Sequence, residues 1–161
     1  MSVNELQLTH VPRVKVGMLI RKPPAEVFRA FVDPDVTTRF WFTKSSGEVV
    51  TGATLTWDWE MYGLSQEVSV KEVQEDRLIR FEWGSEGTAT TIEFRFVPWR
   101  GDSTYVQVTE SGLGGTGDEI VAHVADSAGG FSFVLAAAKA LLEHDTVLTL
   151  VADHVPEGLE L

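Results

Sequence analysis

The chain contains no cysteine. That absence excludes disulfide frameworks, Cys-ligated zinc, iron–sulfur clusters and thiol nucleophiles, and it gives no sign of an oxidising compartment, so a cytoplasmic setting is the expectation. Positive charge is scarce as well: 13 Lys and Arg against 24 Asp and Glu leave a formal net charge of −11. Such a chain repels phosphate backbones and anionic bilayers on average, so neither nucleic acid nor a membrane is an expected partner. The opening Met1-Ser-Val-Asn-Glu-Leu has neither a basic start nor an apolar run, and no unbroken stretch approaches the roughly 18 apolar residues of a membrane span. Internal repeats, low-complexity runs and Pro/Gly-rich linkers are missing too. The 161 residues therefore read as one domain, 1–161, with its core within about 14–143. A domain of this size buries a core without help from a disulfide or a metal.

What the chain does have is alternation. Over 11–21, Val14, Val16 and Met18 alternate with Arg13, Lys15 and Gly17, the pattern of a half-buried strand. Pro23 and Pro24 stop it, and Val27, Phe28 and Phe31 then recur at helical spacing behind a proline suited to a helix N-terminus. Asp33-Pro-Asp reads as a turn and N-cap into a second short helix or turn, which ends in the three aromatics Phe40, Trp41 and Phe42. From 54 to 110 the chain is strand and hairpin material, expected over 54–61, 64–73, 77–83, 90–97 and 104–110. In the first of these, Leu55, Trp57, Trp59 and Met61 face one way and Thr54, Thr56, Asp58 and Glu60 the other, with Gly63 making the turn. The period then changes to 3.6 for a long helix over 118–143, with Ile120, Val124, Phe131, Leu135, Ala138 and Leu142 on one stripe. Gly129-Gly130 in its middle calls for a bend or a close approach to the sheet. The apolar patch at 147–151 suggests a short terminal helix or strand.

The order strand, two short helices, antiparallel meander and long last helix is similar to the helix-grip fold of the START/Bet v 1-like superfamily. That fold is α+β, with a curved antiparallel sheet of about six or seven strands wrapped around the C-terminal helix. Pro24-Ala-Glu-Val-Phe-Arg-Ala-Phe-Val-Asp-Pro-Asp with Thr38-Arg-Phe-Trp-Phe resembles the opening motif of its activator of Hsp 90 ATPase homologue-like branch. Val70-Lys-Glu-Val-Gln-Glu-Asp-Arg-Leu-Ile-Arg-Phe-Glu-Trp, the strand from Thr90 to Phe96, and Thr109-Glu-Ser-Gly match further motifs of that branch. The late helix departs from it, with Gly130-Phe131 where Gly-Trp is usual. The resemblance marks a fold, not one activity. Full chaperone activators use an additional domain, so a chaperone partner is not expected, and a homodimer remains open.

Trp indoles offer a large flat surface and one N–H donor, which suits an apolar or aromatic ligand with one or two acceptors. The resemblance implies a hydrophobic cavity between sheet and helix, walled by Phe28, Phe40, Trp41, Trp57, Trp59, Phe81, Trp83, Phe94, Val124 and Phe131, with Arg39 orienting the ligand. The same aromatics suit a filled core equally. An enzyme related to cyclases or hydrolases of polyketide-like or aromatic substrates is the first alternative. It needs an acid or base among Glu60, Glu82, Glu110, His123 and Asp126. An interaction module is the second. Pleat alternation turns Glu60, Arg80 and Glu82 away from their aromatic neighbours, so they are solvated if the aromatics face the cavity and line it if the sheet is oriented the other way. Glu119, His123 and Asp126 share a helix face and read as solvated, with too few further ligands for a metal site. No nucleophile elbow or phosphate loop is readable, because Gly112-Leu-Gly-Gly-Thr-Gly lacks the Walker Lys. The expectation is thus a binding protein with no catalytic residue, no cofactor and no metal.

Overall fold

Two adjacent prolines separate the first two elements, as their chemistry requires. In the computed structural model, which describes residues 4–161, strand β1 (Val14–Ile20) ends just before Pro23, and helix α1 (Pro24–Val32) begins with a proline at its first position. Proline lacks an N–H, and the first helical turn has no acceptor for one. The Asp33 side chain then accepts a hydrogen bond from the Asp35 N–H at 3.0 Å and caps helix α2 (Pro34–Thr37). Thr37, buried, donates its hydroxyl to the Ala30 carbonyl at 2.5 Å and ties the two helices together.

The central chain forms β2 (Lys44–Ser45), β3 (Thr54–Trp59), β4 (Leu64–Gln74), β5 (Leu78–Trp83), β6 (Thr90–Trp99) and β7 (Ser103–Ser111). With β1 they build one seven-stranded antiparallel sheet in the order β1-β7-β6-β5-β4-β3-β2. Strand β2 falls where only a break at Lys44-Ser-Ser-Gly was expected, and it pairs Lys44 with Asp58. Met61 departs from the expected alternation, because β3 stops at Trp59 and Glu60–Tyr62 makes a 3₁₀ turn closed by Gly63 in the left-handed region. A bulge between Val70 and Glu72 adds bend and twist to β4.

The sheet curves around helix α3 (Gly117–His144), giving the α+β helix-grip architecture the resemblance implied. Thr116 and Glu119 form a capping box at its start. Its inner face, Phe131, Val134, Leu135, Ala137, Ala138 and Leu141, joins the core built by the inward residues of the strands. By length and composition α3 is apolar enough to cross a membrane, a feature the run-length reading of the sequence passed over, but it serves here as the helix the sheet grips. Helical structure runs unbroken through Gly129 and Gly130, and a Cβ added at either would meet nothing within 4 Å. The expected close approach to the sheet is therefore not the reason for these glycines. A short helix α4 (Leu150–Asp153) follows, with Leu150 and Val151 packed against the core.

Candidate functional site

The segment after α2 delivers three consecutive rings into the core: Phe40, Trp41 and Phe42 are all buried, and the Trp41 N–H bonds to the Thr37 carbonyl at 3.0 Å. Trp41 becomes the hub of the aromatic cluster. Its ring centroid lies 5.1 Å from Trp57, 5.7 Å from Phe94, and 6.2 Å from both Trp83 and Phe131. Trp59 and Phe81 complete the group at 6.5 and 6.4 Å. Strand alternation accounts for this convergence, since Trp57, Trp59, Phe81 and Phe94 are all inward positions of β3, β5 and β6.

Eight of the expected wall residues therefore meet: Phe40, Trp41, Trp57, Trp59, Phe81, Trp83, Phe94 and Phe131 all belong to the main core or pack against it. Phe28, on α1, joins the same core edge-on to Phe96 at 5.5 Å. Two are placed elsewhere. Val124 packs in a separate small cluster with Val14, Leu113 and Ile120. Arg39 is half in solvent, 3.6 Å from the Asp145 carboxylate. The rings mostly pack on one another: Trp57 is 2% exposed and its Nε1 has no hydrogen-bond partner among the described residues.

Apolar space opens beside this cluster as a cleft of about 150 Å³, between Trp41 and Trp83 on one side and α3 on the other. Gly130, Phe131 and Val134 form the α3 wall, and Gly130 has no side chain to fill the gap. Ser127, Phe133, Val151 and His154 complete the lining. A second cleft, of about 220 Å³, lies on the other side of Trp41 and Val151 and is bordered by Arg39, Phe40, Met61 and Leu148. Each is smaller than the roughly 300–1,000 Å³ typical of small-molecule sites. Sequence reasoning missed Val151 and His154, although the apolar patch at 147–151 was visible.

The C-terminal segment is held over the cleft by Tyr62, whose hydroxyl donates to the Val151 carbonyl at 2.5 Å. Burial, reinforced by Asp153, raises the Tyr62 phenol above its ordinary pKa, so it is a neutral donor. The His154 ring packs 5.3 Å from Phe133, with its Nδ1 2.7 Å from the Val151 carbonyl. A carbonyl only accepts, so Nδ1 carries the proton.

The second polar feature corrects the sequence reading. His123 is not a freely solvated member of a Glu119–Asp126 face, since its Nε2 lies 3.1 Å from Oε2 of Glu110. Glu110, only 1% exposed, also accepts a hydrogen bond from the Thr90 hydroxyl at 2.5 Å, and its Oε1 is buried without a partner among the described residues. Glu119 instead serves the capping box, and Asp126 is exposed. Glu82 and Arg80 lie on the opposite sheet face, paired with Lys71 and with Glu72 and Glu93. The hydrogen bond from Arg80 to Glu93 raises its guanidinium pKa further. Glu60 is exposed in the 3₁₀ turn. No cluster of three or more metal-ligating side chains occurs among the described residues.

A curved sheet gripping a long helix, with a ring cluster and an apolar cleft between them, defines a helix-grip protein of the START/Bet v 1-like class. Residues 21–143 match the family described as activator of Hsp90 ATPase homolog 1-like protein, and the chain belongs to that family. The match stops before the segment carrying Val151 and His154. No curated protein matches the chain. Among solved structures, protein SSP2350 from Staphylococcus saprophyticus is similar with a TM-score of 0.76 at 28% identity, covering 86% of this chain and 96% of its own. The Aha1 dimer from Colwellia psychrerythraea is similar at 0.71 and 19% identity, covering 83% and 97%. CalU16 from Micromonospora echinospora is similar at 0.66 and 16% identity, covering 83% and 76%.

Proposed function

We propose that the protein binds a small apolar or aromatic molecule in the cleft between Trp41, Trp83 and α3. The observation that carries this reading is the gap left by Gly130 opposite two indoles: apolar space faces flat aromatic walls, on a helix where alanine would have been more stable than glycine. Trp57, Phe81 and Phe94 stand behind that wall and fix it, while Val151 and His154 partly cover it. Binding strength would come from buried apolar area, at about 25 cal/mol per Å².

Titration of tryptophan fluorescence against a panel of apolar and aromatic molecules tests the proposal. A ligand that binds only the native state also raises the melting temperature. Saturable quenching with a raised melting temperature is expected, and Gly130→Leu, which fills the gap, should remove both without unfolding the chain. Quenching that survives Gly130→Leu unchanged would place the ligand elsewhere.

A further inference from the structure

Glu110 is a costly residue to keep. It occupies an inward position of β7 with Val14 of β1 and Ile92 of β6 as its register partners, and it is 1% exposed. A carboxylate in such surroundings needs donors. It receives two, from Thr90 and His123, both on Oε2, which leaves Oε1 as an unused acceptor. An apolar pair would fasten α3 to the sheet at least as well, since ionic groups in a core rarely outperform hydrophobic ones of similar size.

The arrangement has a chemical result beyond fastening. With Glu110 as the carboxylate it only accepts, and the His123 nitrogen facing it is then the one that carries hydrogen. In the neutral ring the other nitrogen, Nδ1, is then a bare acceptor whose tautomer is locked from behind. The His123 side chain is 39% exposed, so a ligand can reach the ring. Its position relates it to the cleft through two neighbours. Ser127 lies one helical turn further along α3, and Trp83 is the register partner of Thr90; both line the cleft.

We infer that Glu110, His123 and Thr90 form the polar end of the ligand site, and that the ligand is an aromatic molecule bearing a hydroxyl group whose proton is held by His123 Nδ1. Glu110 is a positioning residue in this scheme, since it acts through the imidazole. The inference rests on the cleft being the binding site.

Calorimetry with 2-naphthol and 2-methoxynaphthalene on the full chain tests it, because the two probes differ in the donated proton. One additional hydrogen bond to a prearranged acceptor gives 2-naphthol about a tenfold tighter dissociation constant in the wild type. His123→Leu is expected to erase that preference while retaining 2-methoxynaphthalene binding. An equal preference in both proteins, or none in the wild type, overturns the polar end and leaves the cleft standing. Failure of both probes to bind the wild type overturns the cleft reading and this inference with it. Should His123→Leu fail to fold, imidazole ¹⁵N shifts of the wild type read the same point. 2-Naphthol, but not 2-methoxynaphthalene, is expected to shift His123 Nδ1, and an unmoved Nδ1 overturns the inference.

Discussion

The indole of Trp83 lies nearly parallel to the ring of Phe131, with centroids 6.0 Å apart and planes inclined by 23°. One ring comes from the end of β5 and the other from the middle of α3, so the pair joins sheet to helix at the place where the cleft opens. Trp83 is half-buried and borders the cleft whereas Trp57 is buried and does not, and this difference separates wall from core.

Substitutions in the ring cluster should divide along that line. Trp57→Ala removes a ring that is 2% exposed, and is expected to cost about 3–5 kcal/mol of stability, the range for large aromatic truncations in cores. Trp83→Ala should cost clearly less and weaken ligand binding more. Urea denaturation and fluorescence titration of the two variants check the division, and equal stability losses would contradict it.

The adjacent glycines make a controlled pair. Both are helical and have open space where a Cβ would sit, but only Gly130 borders the cleft. Gly129→Ala and Gly130→Ala are each expected to raise stability by roughly 1 kcal/mol through helix propensity. Only the second should weaken the ligand. Thermal melts combined with titration provide the readout.

Covering by the C-terminal segment depends on Tyr62. Removing its hydroxyl in Tyr62→Phe deletes the hydrogen bond to the Val151 carbonyl, and ending the chain after Asp145 deletes the cover entirely. Acrylamide quenching of tryptophan should increase in both, more strongly in the shortened chain, because Val151 borders Trp41 in both clefts. Melting temperature should change little in Tyr62→Phe, since an exposed neutral hydrogen bond contributes only about 0.5–1.5 kcal/mol.

Acid sensitivity is expected at the other end of α3. Burial pushes the Glu143 carboxyl upward, but hydrogen bonds from Lys139 and the Arg21 N–H outweigh it and hold the group below its ordinary pKa. Lys139 also donates to the Leu19 carbonyl at 2.6 Å, so this cluster fastens α3 to β1. A folded-state pKa below the unfolded one means the contribution is complete above the ordinary carboxylate range and is lost as pH falls through the depressed value. Glu143→Gln should lower stability at neutral pH and flatten the acid limb. Urea midpoints measured from about pH 7 to about pH 3 for both proteins test this, and parallel curves would refute it.

Much of the fold was legible because its signals are local. Alternation placed Leu55, Trp57 and Trp59 on one face, the two prolines marked the β1–α1 boundary, and Asp33 was readable as a cap. Most of the aromatic cluster followed, since a strand's inward residues must meet whatever the sheet grips. Val124 was misplaced because a helical stripe spans the whole length of α3, and its first turns cover a different cluster from its middle. His123 was misread because its partner lies on β7, outside the i, i+3 and i, i+4 neighbours that a helix pattern reveals.

The amino-acid sequence alone determined most of the elements, their order and which strand residues share a face, because periodicity, proline geometry and capping act over a few neighbouring residues. Tertiary structure decided the rest. The rotation of α3 about its own axis turned Gly130 toward Trp41 and Trp83, the register of β7 buried Glu110 against Thr90 and His123, and the docking of α4 brought Val151 over the rings. Those relations join residues far apart in the chain, where packing and hydrogen-bond satisfaction select one arrangement among many that local periodicity allows equally.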